Sequence, residues 1–188
     1  MGGAMSSVIL AGDTSGSVTL AAPAVAGSSV LTMPVATDTL VGKATTDTLT
    51  NKTLAVTGNT FNFTPITASL GANVAMNNTA NYFDGPSVAQ GTSGTWFASG
   101  TIGVQDTTVG NNVIQVKLWD GTTVIASCFA VLSGATSSAA AISLSGFISA
   151  PAGNIRISAK DVTTTAGLIL FNGTGNSKDS TITAIRIA

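Results

Sequence analysis

The chain has 188 residues, and its seven basic and eight acidic side chains give a net charge of −1. It contains no His, and every acidic residue is Asp, which excludes a His-based catalytic triad, a His-ligated metal site and a Glu general acid. The single cysteine, Cys128, excludes an internal disulfide, and the charge balance provides no basic surface for nucleic acid.

Charged residues make up only 8% of the chain, against about 25% in an ordinary globular protein, while 44% of the residues are hydrophobic. Proteins with so few charges tend to associate, so the composition indicates a β-rich structural protein that assembles into something larger. The first ten residues lack the basic and apolar segments of a secretory signal. The uncharged stretch 122–150 alternates with period two around Ile142 and Leu144, which predicts strands rather than a membrane helix.

Two regions of the chain differ in their aromatic content. Residues 1–78 contain only Phe61 and Phe63, whereas both Trp, the one Tyr and five of the seven Phe follow. Because large aromatic side chains supply much of a core's buried area, only the second region is expected to build a compact core. The sequence therefore predicts an extended N-terminal arm over residues 1–78, serving for attachment, and a folded domain over residues 79–188.

The first region contains short strand-like pieces, at 17–21 and 29–33, that are followed by breaks at Pro23 and Pro34. Such pieces do not close a core alone, so we expect them to become ordered by lying on a partner. A flexible linker rich in Thr and Ala is the alternative interpretation.

The second region predicts an eight-stranded β-sandwich, most simply a jelly roll. In the strand 112–119, Lys117 and Trp119 belong to one face and Ile114, Val116 and Leu118 to the other. The following Asp-Gly pair at 120–121 predicts a two-residue type I′ hairpin, and the last strand has a register wobble at Ala184. The eight expected strands span 82–88, 93–104, 112–119, 123–132, 140–149, 154–160, 167–171 and 180–187.

The sequence predicts no catalytic, cofactor-binding or metal-ligating residue, and no cofactor. The aspartates of this region lie beside expected turns, where such side chains usually cap their own backbone: Asp84, Asp106, Asp120, Asp161 and Asp179. Four aromatic residues could form a sugar-stacking face, although core or interface positions are commoner for them: Tyr82, Trp96, Phe97 and Trp119. Cys128 is expected to be a small buried hydrophobic residue.

Several strings of the sequence resemble those of tailed-bacteriophage virion proteins. Residues 15–27 read Ser-Gly-Ser-Val-Thr-Leu-Ala-Ala-Pro-Ala-Val-Ala-Gly and are followed by Val-Leu-Thr-Met-Pro at 30–34. Residues 47–54 read Asp-Thr-Leu-Thr-Asn-Lys-Thr-Leu, and 117–123 and 182–187 look like the jelly-roll tips of such proteins. The resemblance implies a homotrimer in the virion, on the outer surface of the particle.

Two functions follow from this resemblance. The first is a non-enzymatic capsid decoration (cement) protein that binds the major capsid protein, or another virion protein, through its N-terminal arm and projects its jelly roll. The second is a tail or head fibre whose jelly roll binds a host-surface glycan. The small size of the chain and the lack of a long shaft favour the decoration protein. Neither nucleic acid nor a membrane is expected as a partner of either protein. An enzyme, such as a depolymerase, is a distant third because the acidic residues are few and dispersed.

Overall fold

The computed structural model describes residues 7–21, 63–134 and 137–188, which form β-strands and, within those ranges, no helix. The chain divides into two compact units, Met1–Leu54 and Ala55–Ala188. The all-β fold class expected from the sequence is confirmed.

In the first unit, the described residues form a hairpin of strands β1 (Ser7–Ala11) and β2 (Ser17–Ala21). The strands pair antiparallel, with Val8 opposite Leu20. The Gly12 N–H donates to the Gly16 carbonyl at 2.9 Å and closes the turn, and Gly16 has a φ of 76°, which favours glycine. The strand expected at 17–21 is present, whereas the piece at 29–33 lies outside the described residues.

The described residues of the second unit, 63–134 and 137–188, form ten strands. They are β3 (Ile66–Ser69), β4 (Val74–Met76), β5 (Phe83–Val88), β6 (Thr95–Asp106), β7 (Asn111–Trp119), β8 (Val124–Ser133), β9 (Ser138–Ser149), β10 (Ile155–Asp161), β11 (Gly167–Ile169) and β12 (Thr181–Arg186). The eight strands expected from the sequence correspond to β5 through β12, with small shifts at their ends. The period-two alternation of β-branched and polar residues was therefore a sufficient signal for these strands.

The sequence-based boundary between residues 78 and 79 is too late, because two further strands precede it. β3 pairs with β12 and β4 pairs with β11, and the Met76 side chain is fully buried in the core. These strands have four and three residues, and neither contains an aromatic residue. Such short strands are stabilised by backbone hydrogen bonds to a neighbouring strand of the sheet. Because these bonds do not depend on side-chain type, the sequence shows little alternation of polar and apolar residues there.

The second unit is a sandwich of two antiparallel sheets. The first has the strand order β5-β10-β7-β8. In the second, β9 pairs along one edge of β6, while β12 and β11 pair with successive stretches of the other edge, and β3 and β4 extend these. Each sheet is thus four strands wide, although the second contains six strands; we call the first the four-stranded sheet and the second the six-stranded sheet. Successive strands lie in different sheets, except for the pairs β3–β4, β7–β8 and β11–β12. This alternation between two sheets is the connectivity of a jelly roll.

The core lies between the two sheets and is built from alternate residues of each long strand. On β7 the inner face presents Ile114, Val116 and Leu118, all fully buried, as the sequence predicted. On β6 the inner residues include Trp96 and Ile102. Each such aliphatic side chain contributes about 1.5–3 kcal/mol on burial.

Two local expectations are wrong. The β7–β8 connection has four residues, Trp119 pairs with Val124, and Asp120 does not adopt a positive φ, so the turn is not type I′. Instead the Asp120 carboxylate binds the turn backbone. The last strand keeps one register throughout: Ala184 is fully buried and Ile185 lies on the outer face, so no wobble occurs.

Candidate functional site

Three of the five aspartates named from the sequence cap turns, as expected, and they do so at buried positions. The Asp120 Oδ1 accepts the N–H groups of Thr122 and Thr123 at 2.9 and 2.6 Å, and its Oδ2 accepts that of Ala152 at 2.7 Å. Burial alone would raise the pKa of Asp120, but these hydrogen bonds outweigh it and hold the pKa below its ordinary value. The residue therefore stabilises two loops as a charged group.

Asp106 and Asp161, at the ends of β6 and β10, link the two sheets through one hydroxyl group. The Thr164 Oγ1 lies 2.6 Å from the Asp106 Oδ2 and 2.7 Å from the Asp161 Oδ2. Burial acts to raise the pKa of Asp106, but hydrogen bonds from Thr108 and Thr164 outweigh it and lower the pKa. The Asp161 Oδ1 also accepts the N–H groups of Thr163 and Thr164, both at 2.9 Å.

The other two aspartates behave differently. Asp179 accepts from the N–H and hydroxyl groups of Thr174, and the hydroxyl bond is the largest cause of its lowered pKa. Asp84 is not a turn cap, because it lies within β5 and forms an ion pair of 2.8 Å with Arg156 of β10. Within the described residues, no group of three or more Cys or Asp side chains could hold a metal ion.

The four aromatic residues considered as a sugar-stacking face lie at three separate places. Trp96 is in the core, and its Nε1 donates to the Ser93 carbonyl at 2.9 Å. Phe97 lies on the outer face of the six-stranded sheet. Only Tyr82 and Trp119 come together, beside the outer face of the four-stranded sheet.

Tyr82 and Trp119 form a basic–aromatic cluster with Lys117, Arg156 and Lys160. The Lys117 Nζ lies 4.1 Å from the centre of the Tyr82 ring and 3.2 Å from that of Trp119. The Arg156 guanidinium is 5.4 Å from the Trp119 ring, and the Lys160 Nζ is 5.1 Å from the Tyr82 ring. These distances are typical of cation–π contacts. Two sequence features that could have indicated the cluster are Lys117 and Trp119 two residues apart on β7, and Arg156 and Lys160 four apart on β10.

Hydrogen bonds fix both aromatic rings of the basic–aromatic cluster. The Tyr82 hydroxyl donates to the Gln115 Oε1 at 3.2 Å, and the Trp119 Nε1 donates to the Ser158 Oγ at 2.7 Å. The Ser158 hydroxyl in turn donates to the Asp84 Oδ1 at 2.7 Å. Burial lowers the pKa of Lys117, as do the nearby charges of Lys160 and Arg156, while Asp84 opposes the shift; burial also raises the pKa of Tyr82.

The strand positions on the outer face of the six-stranded sheet contain no charged residue, and we call this the uncharged face. Phe97 and Phe147 pair across β6 and β9 near one end of these strands, and Ile185 of β12 lies beside Phe97. The remaining outward residues of its four main strands are small, polar or both: Thr67, Ser69, Thr95, Ser99, Thr101, Gly103, Gln105, Ala139, Ala141, Ser143, Ser145, Ser149, Thr181 and Thr183.

A shallow hollow of about 360 Å³ lies at one end of the uncharged face. Its lining is mainly apolar and includes Gly103, Ala139, Ala141 and Leu170. The carboxylate of Asp179, from the loop before β12, lies at its margin. The hollow has the size of a side chain or small ligand but no converging set of polar groups, so it lacks the features of a catalytic pocket.

Cys128 is exposed, contrary to the expectation of a buried thiol. It lies on β8, which is the edge strand of the four-stranded sheet. Because an edge strand is covered on one side only, its inner positions are less completely buried than those of central strands. The Sγ is 3.7 Å from the Phe129 carbonyl oxygen.

The β1–β2 hairpin carries exposed apolar side chains. Val8 and Leu20 face each other across the strands, and Leu10 lies on the same face. All three are about half exposed, and Ile9 on the other face is 66% exposed. A two-stranded hairpin of this kind is marginally stable alone, so this surface is suited to packing against another protein.

The residues that the structure describes contain no helix of the length and apolar character needed to cross a bilayer. The uncharged stretch from residue 122 that hydropathy singles out instead supplies β8 and β9.

No family model matches the chain, and no curated protein sequence matches it. Among solved structures, it is similar to the Eiger TNF of S. frugiperda, with 9% sequence identity and a TM-score of 0.41, over 67% of this chain and 93% of that one. It is also similar to the PRD1 vertex protein P5, with 16% identity and a TM-score of 0.33, over 66% of this chain and 96% of that one. Likenesses of this degree carry no argument about what the chain does.

Proposed function

We propose that the chain is a non-enzymatic structural protein of a bacteriophage particle, a capsid decoration (cement) protein on the outer surface of the virion. In this proposal, the N-terminal region binds the major capsid protein or another virion protein. The jelly roll projects outward and assembles as a homotrimer through the uncharged face. The virion assignment is supported by the resemblance of residues 15–27 and 47–54 to virion-protein strings.

The uncharged face is the observation that carries the assembly part of the proposal. β6 and β9 have 12 residues each, about 40 Å at ~3.4 Å per residue, and four strands are about 19 Å wide. Because the other strands of the sheet have six residues or fewer, the face covers about 650 Å², somewhat below the ~800 Å² per partner of a stable interface. Its strand positions carry no charged side chain, and Lys178 and Asp179 reach it only from the loop before β12. A water-exposed surface of this size ordinarily includes charged groups, whereas the cores of interfaces are depleted of them.

The hairpin supports the attachment part of the proposal. Its exposed Val8, Leu10 and Leu20 provide an apolar face, and its outer backbone edges can add to the sheet of a partner. Burial of such side chains contributes about 1.5–3 kcal/mol each, which together with backbone pairing offsets the entropic cost of association.

A virion that is stripped of this protein tests the attachment. We expect the full chain to rebind, and a chain lacking residues 2–54 to remain folded but not to bind. In the full chain, Leu10→Asp should weaken rebinding strongly, whereas Thr19→Asp, on the opposite face of the hairpin, should have a smaller effect. Rebinding by the truncated chain with near-normal affinity would contradict this role of the N-terminal region.

The alternative function is a tail or head fibre that binds a host glycan, and the specific observation in its favour is the basic–aromatic cluster. Copy number separates the two functions. Quantitative mass spectrometry of purified particles should give hundreds of copies for decoration of a capsid lattice, and a few dozen or fewer for a fibre.

A further inference from the structure

We propose that the basic–aromatic cluster is a binding site for an acidic polysaccharide, with Lys117, Lys160 and Arg156 as the groups that contact its anionic substituents. The proposal goes beyond the structural function above and applies equally to a decoration protein and to a fibre.

The first argument is the distribution of charge. Three of the chain's seven basic residues lie in this cluster, in a protein whose net charge is −1. Asp84 is the carboxylate beside them, and its oxygens already accept from Arg156 and Ser158. Neither lysine forms an ion pair with any residue that the structure describes. Three positive charges beside one negative charge repel one another, and a bound anion would relieve that repulsion.

The second argument is that the binding groups are held in place before a ligand arrives. Lys117 lies between two aromatic rings that are themselves fixed by hydrogen bonds to Gln115 and Ser158. Ordering a free lysine side chain on binding costs conformational entropy, and that cost has largely been met here. A cation–π contact uses the charge of the ammonium group but leaves N–H donors for an anion.

The third argument concerns the shape of the ligand. Arg156 and Lys160 lie four residues apart on β10, about 13 Å at ~3.3 Å per residue. Lys117 lies on the neighbouring strand between them, opposite Ser158. The strand positions of the three cations are thus distributed over about 13 Å of the sheet. An extended chain with repeated anionic groups matches this distribution better than one small anion.

The spacing of charge distinguishes a polysaccharide from nucleic acid. Duplex DNA carries one charge per ~1.7 Å, or about eight charges over 13 Å, far more than three cations and one carboxylate can balance. The ring faces of Tyr82 and Trp119 are occupied by Lys117, so they are not free as a platform for bases. An acidic polysaccharide has fewer charges, and its hydroxyl groups can bind polar neighbours such as Gln115.

Binding can be measured with chondroitin sulfate, polygalacturonate, neutral dextran and a DNA duplex of similar length, using the fluorescence of Trp119. Trp96 is buried in the core, so its contribution to the emission is expected to stay constant. We expect chondroitin sulfate or polygalacturonate to bind, neutral dextran not to bind, and the bound complex to weaken in about 0.5 M NaCl. The comparison of the sulfated with the purely carboxylated polymer identifies the anionic group that the site prefers.

The matched variants are the double substitution Lys117→Met with Lys160→Met, and the single substitution Lys178→Met. Lys178 donates to the Ser69 hydroxyl at 3.1 Å, outside the cluster but at the uncharged face, so the mass of each variant is checked by light scattering before binding is compared. The double variant should bind the acidic polysaccharide about tenfold or more weakly, at an unchanged Tm. Lys178→Met should change this affinity less than about twofold. No binding of either polyanion, an equal loss in both variants, or tighter binding of DNA would overturn the proposal. Because oligomeric state and capsid binding are measured separately, failure here leaves the proposed function standing.

Discussion

Phe97 and Phe147 lie opposite each other on β6 and β9, with ring centres 5.1 Å apart and ring planes inclined by 51°. Aromatic pairs in this tilted arrangement usually lie in cores or interfaces, yet Phe147 is 65% exposed in the single chain. The pair lies on the uncharged face, near one end of β6 and β9, and is the largest apolar group on that face. It is therefore the natural place to test self-association.

We expect Phe147→Asp to convert the proposed homotrimer into a monomer, because three carboxylates would enter an uncharged contact. The dissociation constant should increase by about thirtyfold or more, as at an interface hot spot of about 2 kcal/mol. Phe129→Asp is the matched control, since Phe129 is 67% exposed but lies on β8 of the other sheet. Light scattering coupled to size exclusion gives the mass of each variant.

The wild-type association should also persist or strengthen in high salt, since apolar and neutral polar contacts are not screened. A wild-type monomer at micromolar concentration would be evidence against the assembly, and so would a trimer that Phe129→Asp disrupts as much as Phe147→Asp does.

A chain that begins at Ala55 should fold as stably as the second unit of the full protein, whereas one that begins at Thr79 should not. The shorter chain loses β3 and β4, which exposes the edges of β12 and β11 and empties the site of Met76. Loss of one buried methionine side chain costs about 2–5 kcal/mol. Urea unfolding of the two truncated chains measures the difference. Equal midpoints would restore the boundary at 78/79.

The stability of the jelly roll should decrease in acid, below about pH 4. The hydrogen bonds to Asp120 outweigh the opposing effect of burial and lower its pKa in the folded state. The stability that this residue contributes is therefore present above its unfolded pKa of about 3.9 and is lost as the pH decreases through the folded value. The lowered pKa of Asp106 acts in the same direction.

Asp120→Asn should destabilise the domain by about 1–3 kcal/mol at neutral pH. An amide NH₂ replaces one carboxylate oxygen, so either the N–H groups of Thr122 and Thr123 or that of Ala152 lose their acceptor. The same variant should lose less stability than wild type on acidification. Asp13→Asn, in the exposed turn of the hairpin, is the matched control and should alter neither quantity. Chemical denaturation from pH 3 to pH 7 gives both, and an unchanged acid slope in Asp120→Asn would refute the assignment.

Cys128 should react completely with a thiol reagent in the native, assembled protein. The residue is exposed on β8, outside the uncharged face, so the proposed assembly leaves it accessible. The reagent should modify one thiol per chain without denaturant. If the thiol reacted only after dissociation or unfolding, β8 would be part of an interface and the uncharged face would not be the sole contact.

The sequence by itself determined the all-β fold, the eight strands from β5 to β12 and the face assignment of β7. These features depend on local alternation, because side chains of a strand point to opposite faces with period two. The turn-capping function of Asp106, Asp120 and Asp161 was also predictable, since each accepts an N–H from a residue two positions further along the chain.

Other features depended on contacts between residues distant in the chain. β3 and β4 are too short to carry a pattern and exist because β12 and β11 offer them open edges. The basic–aromatic cluster required the pairing of β10 with β7, which brings Arg156 opposite Trp119 although they are far apart in sequence. The uncharged face likewise combines β3, β12, β6 and β9, and no single strand of that sheet reveals it. Such surfaces are set by sheet order and register, which only the tertiary structure decides.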